Sequence, residues 1–253
     1  MYKMKEIDEL KVKIYPSRKE MGKDAAKDFT EHLVELLAQK EYVNIIFAAA
    51  PSQLDFLGAL KEKKEIDWKR VRVFHMDEYV GLDIEAKQSF AGFVKRYVVD
   101  ALGAGEYYPL NGLTEDVEDE KRRYTALLKK YPTDIVCLGI GENGHIAFND
   151  PGVAQFDDSE AVKIATLDGV CRQQQVNDKC FDRIEDVPKT ALTLTVPTLM
   201  AGERLFCIVP TKNKANAVRD VLLGTITENC PASILRKHKN CTLYLDEESA
   251  SLL

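Results

Sequence analysis

Short apolar segments alternate with longer amphipathic segments along the 253-residue chain, and this alternation constrains the fold more than any other feature. Apolar runs rich in β-branched residues predict buried strands at 43–50, 70–79, 134–141, 162–167, 204–211 and 241–246. Apolar residues at helical spacing predict helices at 18–40, 53–63, 89–102, 116–131 and 213–224. Strands that alternate with helices form a largely parallel sheet with helices on both faces. We therefore predict a single Rossmann-like α/β domain over residues 1–253.

The charge and hydropathy of the chain restrict its partners and location. The net charge of −6 and the isoelectric point near 5.4 argue against a nucleic-acid partner, because surfaces that bind phosphodiester backbones are usually basic. No run approaches the ~20 apolar residues of a membrane-spanning helix, and no signal-peptide segment opens the chain. We therefore expect a cytoplasmic protein without a membrane partner.

The cysteines give no sign of a metal centre. The six of them form no CxxC pair and show no metal-ligand spacing. Cys137 and Cys207 lie inside apolar runs, where reduced and buried thiols are expected. The sequence therefore predicts no metal site.

Four predicted strands end in residues that a purely structural role does not require. The segments are "AAAPSQ" (48–53), "HMDEY" (75–79), "GIGENGH" (139–145) and "PTKNK" (210–214). Parallel α/β sheets bind their ligands at the carboxyl ends of their strands. We therefore expect these four loops to converge on one pocket.

The segment "LGIGENGHIAFNDP" (138–151) contains the GxGxxG spacing of a dinucleotide-binding loop at Gly139, Gly141 and Gly144. Such a loop needs a helix directly after its third glycine, since the pyrophosphate rests on the N-terminus of that helix. Pro151 follows only seven residues after Gly144, and proline interrupts a helix. We therefore expect no nicotinamide or flavin site here.

His145 and Asp77 are candidates for acid–base catalysis, although each also has a possible structural role. His145 and Asp150 flank a short turn, and a nearby carboxylate holds an imidazole in one tautomer and makes it more basic. The plainer alternative is a histidine that hydrogen-bonds its own loop. Asp77 and Glu78 end an apolar strand, where a carboxylate can cap a helix or, if its pKa is raised by burial, act as a base. Spacing alone favours neither role of Asp77.

Taken together, "HMDEYVGL" and "LGIGENGHIAFNDP" resemble the signature segments of the glucosamine-6-phosphate deaminase family. The resemblance continues through residues 186–235 and spans nearly the whole chain. It implies an enzyme that opens an amino-sugar phosphate, isomerises it to the ketose and releases ammonia without a cofactor. The small-molecule substrate it implies is glucosamine 6-phosphate or its galactosamine epimer, and the chain would act as a monomer or a homo-oligomer.

The resemblance also assigns catalytic roles. Asp77 matches the base that moves a proton from C2 to C1 through a cis-enolamine. His145 matches the residue that opens the pyranose ring, assisted by the acid at Asp150. Asn143 would orient His145 or contact the sugar, and Glu78 would be structural.

Binding roles follow in the same way. Gly141 and Gly144 would form the sugar pocket. Lys214 matches the family's phosphate-binding lysine, and Ser52 matches a phosphate-contacting hydroxyl in the first loop. Lys179 stands near the position of a phosphate-binding arginine, with Arg172 as a competitor for that role.

Two departures from the family pattern lead to further expectations. The first loop reads "AAAPSQ" instead of a glycine-rich turn, and Pro51 has no N–H to donate to a phosphate. Phosphate binding is therefore expected to shift toward Ser52, Gln53 and the lysines. Asp150 replaces the commoner glutamate, so its carboxylate is expected to lie about one methylene further from His145.

Two alternatives to a deaminase remain. One is a hydrolase of the 6-phosphogluconolactonase type, although such enzymes lack the "AFNxP" continuation. The other is a non-catalytic sugar-phosphate sensor.

Overall fold

The computed structural model describes residues 3–177 and 179–253, and within them eleven strands and eight α-helices. The strands are β1 (Lys3–Ile7), β2 (Leu10–Tyr15), β3 (Val43–Phe47), β4 (Val71–His75), β5 (Asp77–Tyr79), β6 (Glu106–Tyr108), β7 (Ile135–Leu138), β8 (Val162–Thr166), β9 (Thr190–Leu194), β10 (Arg204–Val209) and β11 (Cys241–Asp246). The helices are α1 (Arg18–Leu37), α2 (Leu54–Leu60), α3 (Phe90–Val94), α4 (Asp100–Leu102), α5 (Val117–Lys130), α6 (Gly169–Asn177), α7 (Val196–Met200) and α8 (Ala215–Leu223).

Eight strands form the main sheet, in the order β1-β2-β11-β10-β7-β3-β4-β6. Every neighbouring pair is parallel except the β1–β2 hairpin at one edge. Apolar clusters cover both faces of this sheet, as expected for strands buried on both sides. The predicted single α/β domain with a largely parallel sheet is confirmed.

A second, three-stranded antiparallel sheet has the order β5-β9-β8 and was not predicted. The predicted strand 70–79 divides at Met76, whose carbonyl oxygen accepts a hydrogen bond from the backbone N–H of Leu194 at 2.8 Å. The chain therefore leaves the main sheet after β4 and pairs with β9 instead. The segment 162–167, predicted as a strand, forms β8 of this second sheet rather than part of the main one.

Helix α1 begins where the sequence predicts, because Ser17 is a side-chain N-cap. Its Oγ accepts a hydrogen bond from the backbone N–H of Glu20 at 3.2 Å. One turn later the helix packs tightly on α2, since a Cβ added at Gly22 would lie 2.8 Å from the backbone of Asp55. This close contact holds the first turn of α1 next to the loop that precedes α2.

A third cluster joins the small sheet to the loop after β7. The ring of Tyr79 lies 4.9 Å from that of Phe90 and 5.4 Å from that of Phe148, centroid to centroid. Aromatic pairs at these separations stabilise the contact beyond simple burial. The packing therefore ties the segment that carries Asp77 to the segment that carries His145.

Within the described residues, no helix has both the length and the apolar character needed to span a membrane.

Candidate active site

A cavity of about 200 Å³ opens at the carboxyl ends of the central strands. The four loops named from the sequence all contribute to it, after β3, β4, β7 and β10. Of the predicted site residues, those that line the cavity are Ser52, Asp77, Gly141, His145 and Lys214. The predicted convergence of these loops on one pocket is confirmed, and its physical reason is the parallel order β10-β7-β3-β4.

The backbone after Gly144 does not form a helix. Ile146 and Asn149 form an isolated bridge around a tight turn, and the next helix begins only at Gly169. A dinucleotide loop requires a helix at this point. The prediction that the glycine motif lacks that helix is confirmed.

His145, Asn143 and Asp150 form a hydrogen-bonded triangle behind the cavity wall. His145 Nδ1 lies 2.7 Å from Asn143 Oδ1 and 2.9 Å from Asp150 Oδ1. Asn143 Nδ2 donates to the same Asp150 oxygen at 2.8 Å. Because Nδ1 faces two oxygen acceptors, it carries the proton, and Nε2 holds the lone pair that can act as a base.

The expected extra distance between Asp150 and His145 is wrong. The carboxylate reaches the imidazole directly, at 2.9 Å. The turn between the two residues is tight: Ala147 adopts a φ of 49°, and the N–H of Asn149 donates to the carbonyl oxygen of Ile146 at 3.1 Å. The left-handed Ala147 folds the chain back so that residue 150 lies beside residue 145.

Asp150 is fully buried and remains ionised. Burial alone would raise the pKa of its carboxyl group, but the hydrogen bonds from His145 and Asn143 outweigh burial and lower that pKa. A buried carboxylate at Nδ1 stabilises the imidazolium that forms when Nε2 accepts a proton. The triangle can therefore serve as an acid–base pair.

The lack of a side chain at Gly141 leaves room for the His145 ring. A Cβ added at Gly141 would lie 2.2 Å from Cε1 and 2.3 Å from both ring nitrogens of His145. The imidazole therefore packs flat on the backbone of residue 141, where only glycine leaves room. Gly144 has a different role, because its left-handed φ of 85° lets the chain turn before His145. Gly144 does not line the cavity.

Asp77 lies in the cavity wall and is 8% exposed. Burial, together with the adjacent charge of Glu78, raises the pKa of Asp77 to about 8. A carboxylate with such a pKa is a stronger base than an exposed one and suits proton abstraction near neutral pH. The sequence left two roles for Asp77, a helix cap and a base, and its place in the cavity wall favours the base.

Glu78 takes the capping role instead. Its carboxylate accepts hydrogen bonds from the Ser89 hydroxyl at 2.7 Å and from the backbone N–H of Ala91 at 2.8 Å, at the start of α3. Glu78 thus holds α3 against the small sheet, which agrees with the structural role predicted for it.

His75 was not identified from the sequence. Its buried imidazole bonds through Nδ1 to the carbonyl oxygen of Asp77 at 2.9 Å, and its Nε2 accepts the N–H of Leu110 at 2.8 Å. Burial lowers the pKa of His75 to about 3, so the ring stays neutral. His75 therefore positions the backbone of Asp77.

The predicted phosphate-binding residues are only partly brought together. Ser52 and Lys214 line the cavity, and Lys214 is buried. Gln53 lies beneath them, where its Nε2 lies 3.1 Å from Ser52 Oγ and 3.3 Å from the carbonyl oxygen of Ile208. Gln53 therefore joins the first loop to β10.

Lys179 and Arg172 are not placed in the cavity. Lys179 is exposed and does not line it, although the neighbouring Cys180 does. The guanidinium of Arg172 donates to the carbonyl oxygens of Ile184 and Val187 at 2.5 Å and 3.0 Å. Those bonds hold the segment after α6.

Outside the four predicted loops, sequence reasoning missed three polar residues of the cavity wall, which are Arg18, Gln174 and Gln175. Gln174 accepts the backbone N–H of Glu142 at 2.8 Å and so joins α6 to the glycine loop. No local motif marks these residues. The available signal was that Arg18 directly follows a helix N-cap at the carboxyl edge of the sheet.

One cluster has the composition of a metal site. A ligand atom from each of His145, Asp150 and Cys171 lies within 4.8 Å of the other two, and all three residues are buried. Sequence spacing gave no sign of it, because Cys171 comes from α6 and the others from the loop after β7. The short contact between His145 and Asp150 identifies this pair as hydrogen-bonded.

The chain is similar to known proteins over most of its length. The family model for glucosamine-6-phosphate isomerases and 6-phosphogluconolactonases matches residues 16–244. Glucosamine-6-phosphate deaminase of Exiguobacterium sibiricum is 38% identical over 221 residues, which cover 87% of this chain and 84% of that protein. The Bacillus cereus protein of the same name is 34% identical over 218 residues, which cover 86% and 81%.

Solved structures are similar as well. A monomeric glucosamine-6-phosphate deaminase, described as a missing link of the NagB superfamily, has a TM-score of 0.88 at 30% identity and covers 96% of this chain and 99% of its own. A 6-phosphogluconolactonase from Thermotoga maritima has a TM-score of 0.76 at 17% identity, with coverage of 93% and 98%. The second likeness concerns the fold alone.

Proposed function

The chain belongs to the family of glucosamine-6-phosphate isomerases and 6-phosphogluconolactonases, and from this premise we propose that it is an amino-sugar-phosphate deaminase. It converts glucosamine 6-phosphate or galactosamine 6-phosphate and water to the ketose 6-phosphate and ammonia. The observation that carries the proposal is that a buried carboxylate, Asp77, lines the same cavity as His145, whose imidazole is hydrogen-bonded to Asn143 and Asp150. A lactone hydrolase has no need of the carboxylate base.

His145 acts first by opening the pyranose ring. Its Nε2 takes the proton of the C1 hydroxyl while the ring oxygen is released, and Asp150 stabilises the imidazolium that forms. The proton then returns to the ring oxygen, which leaves an open-chain aldehyde at C1.

Asp77 performs the isomerisation. Its carboxylate removes the proton from C2, and the electron pair of that bond forms the C1–C2 double bond of the cis-enolamine while the C1 carbonyl oxygen takes a proton from water and becomes a hydroxyl. The protonated Asp77 then gives a proton to C1, which leaves an iminium at C2. The hydroxide formed in the first step takes the extra proton of the iminium, water adds to the resulting imine and ammonia leaves, so atoms and charge balance without a redox partner.

Binding energy from the phosphate holds the reacting end in place. Lys214 follows β10 and Asp77 follows β4, and these strands are three strand spacings apart, or about 14 Å. The phosphate therefore binds at the end of the cavity opposite the carboxylate base. Remote binding of this kind raises kcat/KM by holding the bound sugar with its reacting carbons near Asp77.

The direct test measures ammonia release from the purified protein, with glucosamine 6-phosphate and galactosamine 6-phosphate run in parallel. Release from one of them supports the proposal and identifies the configuration at C4. If neither sugar releases ammonia while 6-phosphogluconolactone is hydrolysed, the lactonase alternative is correct. A thermal shift with the sugar phosphates, but no turnover of any of the three, would instead indicate a sensor.

The activity should depend on pH through Asp77. The base must be ionised, and the folded pKa of about 8 leaves most of the group protonated at pH 7. We therefore expect kcat/KM to rise with pH through about 8 and to fall about tenfold per unit below it. The pH profile of kcat/KM measures this, after the ionisation of the free sugar phosphate has been titrated separately. A profile flat between pH 6 and 9 would contradict Asp77 as the base.

A further inference from the structure

We propose that Arg18, in the first turn of α1, is a phosphate-binding residue beside the first loop, where Pro51 has no backbone N–H to donate. This inference rests on the proposed function, because the anion it assigns to Arg18 is the phosphate of the same substrate. Among the described residues that line the cavity, the positively charged side chains are Arg18 and Lys214. A dianionic phosphate is well matched by two such groups.

The position of Arg18 is built by the surrounding fold. Arg18 Nε donates a hydrogen bond to Asp55 Oδ2 at 2.5 Å, and Arg18 Nη2 donates one to the carbonyl oxygen of Pro51 at 3.2 Å. The contact between Gly22 and Asp55 sets the spacing of α1 and α2, so the guanidinium is held over the first loop. Arg18 is thus positioned before any ligand arrives, which limits the entropy lost on binding.

The guanidinium of Arg18 has more N–H groups than its contacts with Asp55 and Pro51 use. A guanidinium carries five N–H groups, and Asp55 and Pro51 are reached by two of its nitrogens. The side chain is 39% exposed and faces the cavity, so its remaining donors are accessible to an oxyanion there. The planar fork of arginine suits two oxygens of one phosphate.

The first loop, residues 48–53, has few hydrogen-bond donors of its own for a phosphate, so a side chain from elsewhere is needed. Pro51 lacks an N–H group, and Ser52 offers one hydroxyl whose Oγ already lies 3.1 Å from Gln53 Nε2. The predicted anchor Lys179 lies outside the cavity wall. Arg18 therefore completes a set with Ser52 and Lys214 that the sequence motifs by themselves do not supply.

The experiment compares Arg18→Gln and Arg18→Lys with Lys19→Gln, a matched control that removes one charge from the exposed neighbour outside the cavity. Inorganic phosphate is the first probe, with its dissociation constant taken from calorimetry. Arg18→Gln should weaken phosphate binding about 10- to 100-fold, the usual effect of losing a hydrogen bond to a charged group, and Arg18→Lys should recover part of the loss. Lys19→Gln should change it less than about threefold.

Steady-state kinetics on the amino-sugar phosphate supply the second readout. Arg18→Gln should raise KM by a similar factor and keep kcat within about threefold, since the phosphate is bound equally in the ground and transition states. If Arg18→Gln binds phosphate as the wild type does, the inference is overturned, whether or not ammonia is released. If phosphate binding weakens in Arg18→Gln but the wild type releases no ammonia, the anion site stands and the deaminase proposal fails.

Discussion

Replacing Asp77 by asparagine is expected to slow the exchange of the C2 proton with solvent by about 10²- to 10⁴-fold, the range typical of losing a general base. Asparagine keeps the shape of the side chain and the packing around β5 but has no basic oxygen. Sugar-phosphate binding should therefore stay within a few-fold of wild type. Deuterium incorporation at C2 and C1, measured by NMR in heavy water, checks the rate.

The control for this variant is Asp67→Asn, which makes the same change at an exposed site outside the cavity. It should exchange protons at the wild-type rate. An Asp77→Asn protein that still exchanges as fast as wild type would remove Asp77 from the mechanism and leave His145 as the group to test next.

The same variant should also change the dependence of stability on pH. The folded pKa of Asp77, about 8, lies above the ordinary pKa of an aspartate, 3.8, so the folded state holds this proton more tightly than the unfolded state. The stabilising contribution is complete below the unfolded value and is lost as pH rises through the folded one. Asp77→Asn should therefore gain stability relative to wild type between pH 6 and 9, as measured by urea unfolding. An unchanged difference across that range would mean that the carboxyl group is not protonated in the fold.

Replacing Gly141 by alanine is expected to lower kcat/KM by about 10²- to 10⁴-fold, because the new methyl group occupies the place of the His145 ring. The φ of Gly141 is not positive, so its backbone conformation is open to alanine, and the three atoms nearest to the new Cβ all belong to the imidazole. The ring must rotate away, which breaks its contacts with Asn143 and Asp150. Ammonia release and the ¹⁵N signals of the His145 ring measure the two effects.

Gly58→Ala is the matched control, since a Cβ at Gly58 meets nothing within 4 Å. It should leave activity unchanged. In a His145→Ala background, Gly141→Ala should add no further loss, since the ring that it displaces is already gone. A large additional loss there would show that Gly141 acts through the sugar pocket and not through His145.

Much of the fold was predictable because burial leaves a periodic trace in the sequence. Strand β3 was predicted from its run of β-branched residues, and helix α1 from the helical spacing of its apolar residues. The failure at 70–79 has a clear cause. Residues 71–79 are all apolar or buried except Arg72, and a continuous pattern of this kind does not reveal that the chain changes sheets at Met76.

The site was predictable to the extent that its residues lie in local motifs at strand ends. Asp77, His145 and Lys214 lie in the segments that follow β4, β7 and β10, strands that the sequence marks as buried, and parallel strands bring their ends to one edge. The sequence by itself therefore determined the fold class, the edge that carries the cavity and the chemistry of its loops.

Only the tertiary structure decided which side chains meet there. Asp150 lies beside His145 across a turn in which Ala147 has a left-handed backbone, and the amino-acid sequence of the loop does not predict that conformation. Arg18 enters the cavity because Gly22 lets α1 approach α2, and Lys179 does not line it. The physical reason is that hydrophobic periodicity records how much of each segment is buried, whereas contacts between polar groups depend on loop dihedrals and helix packing over long stretches of chain.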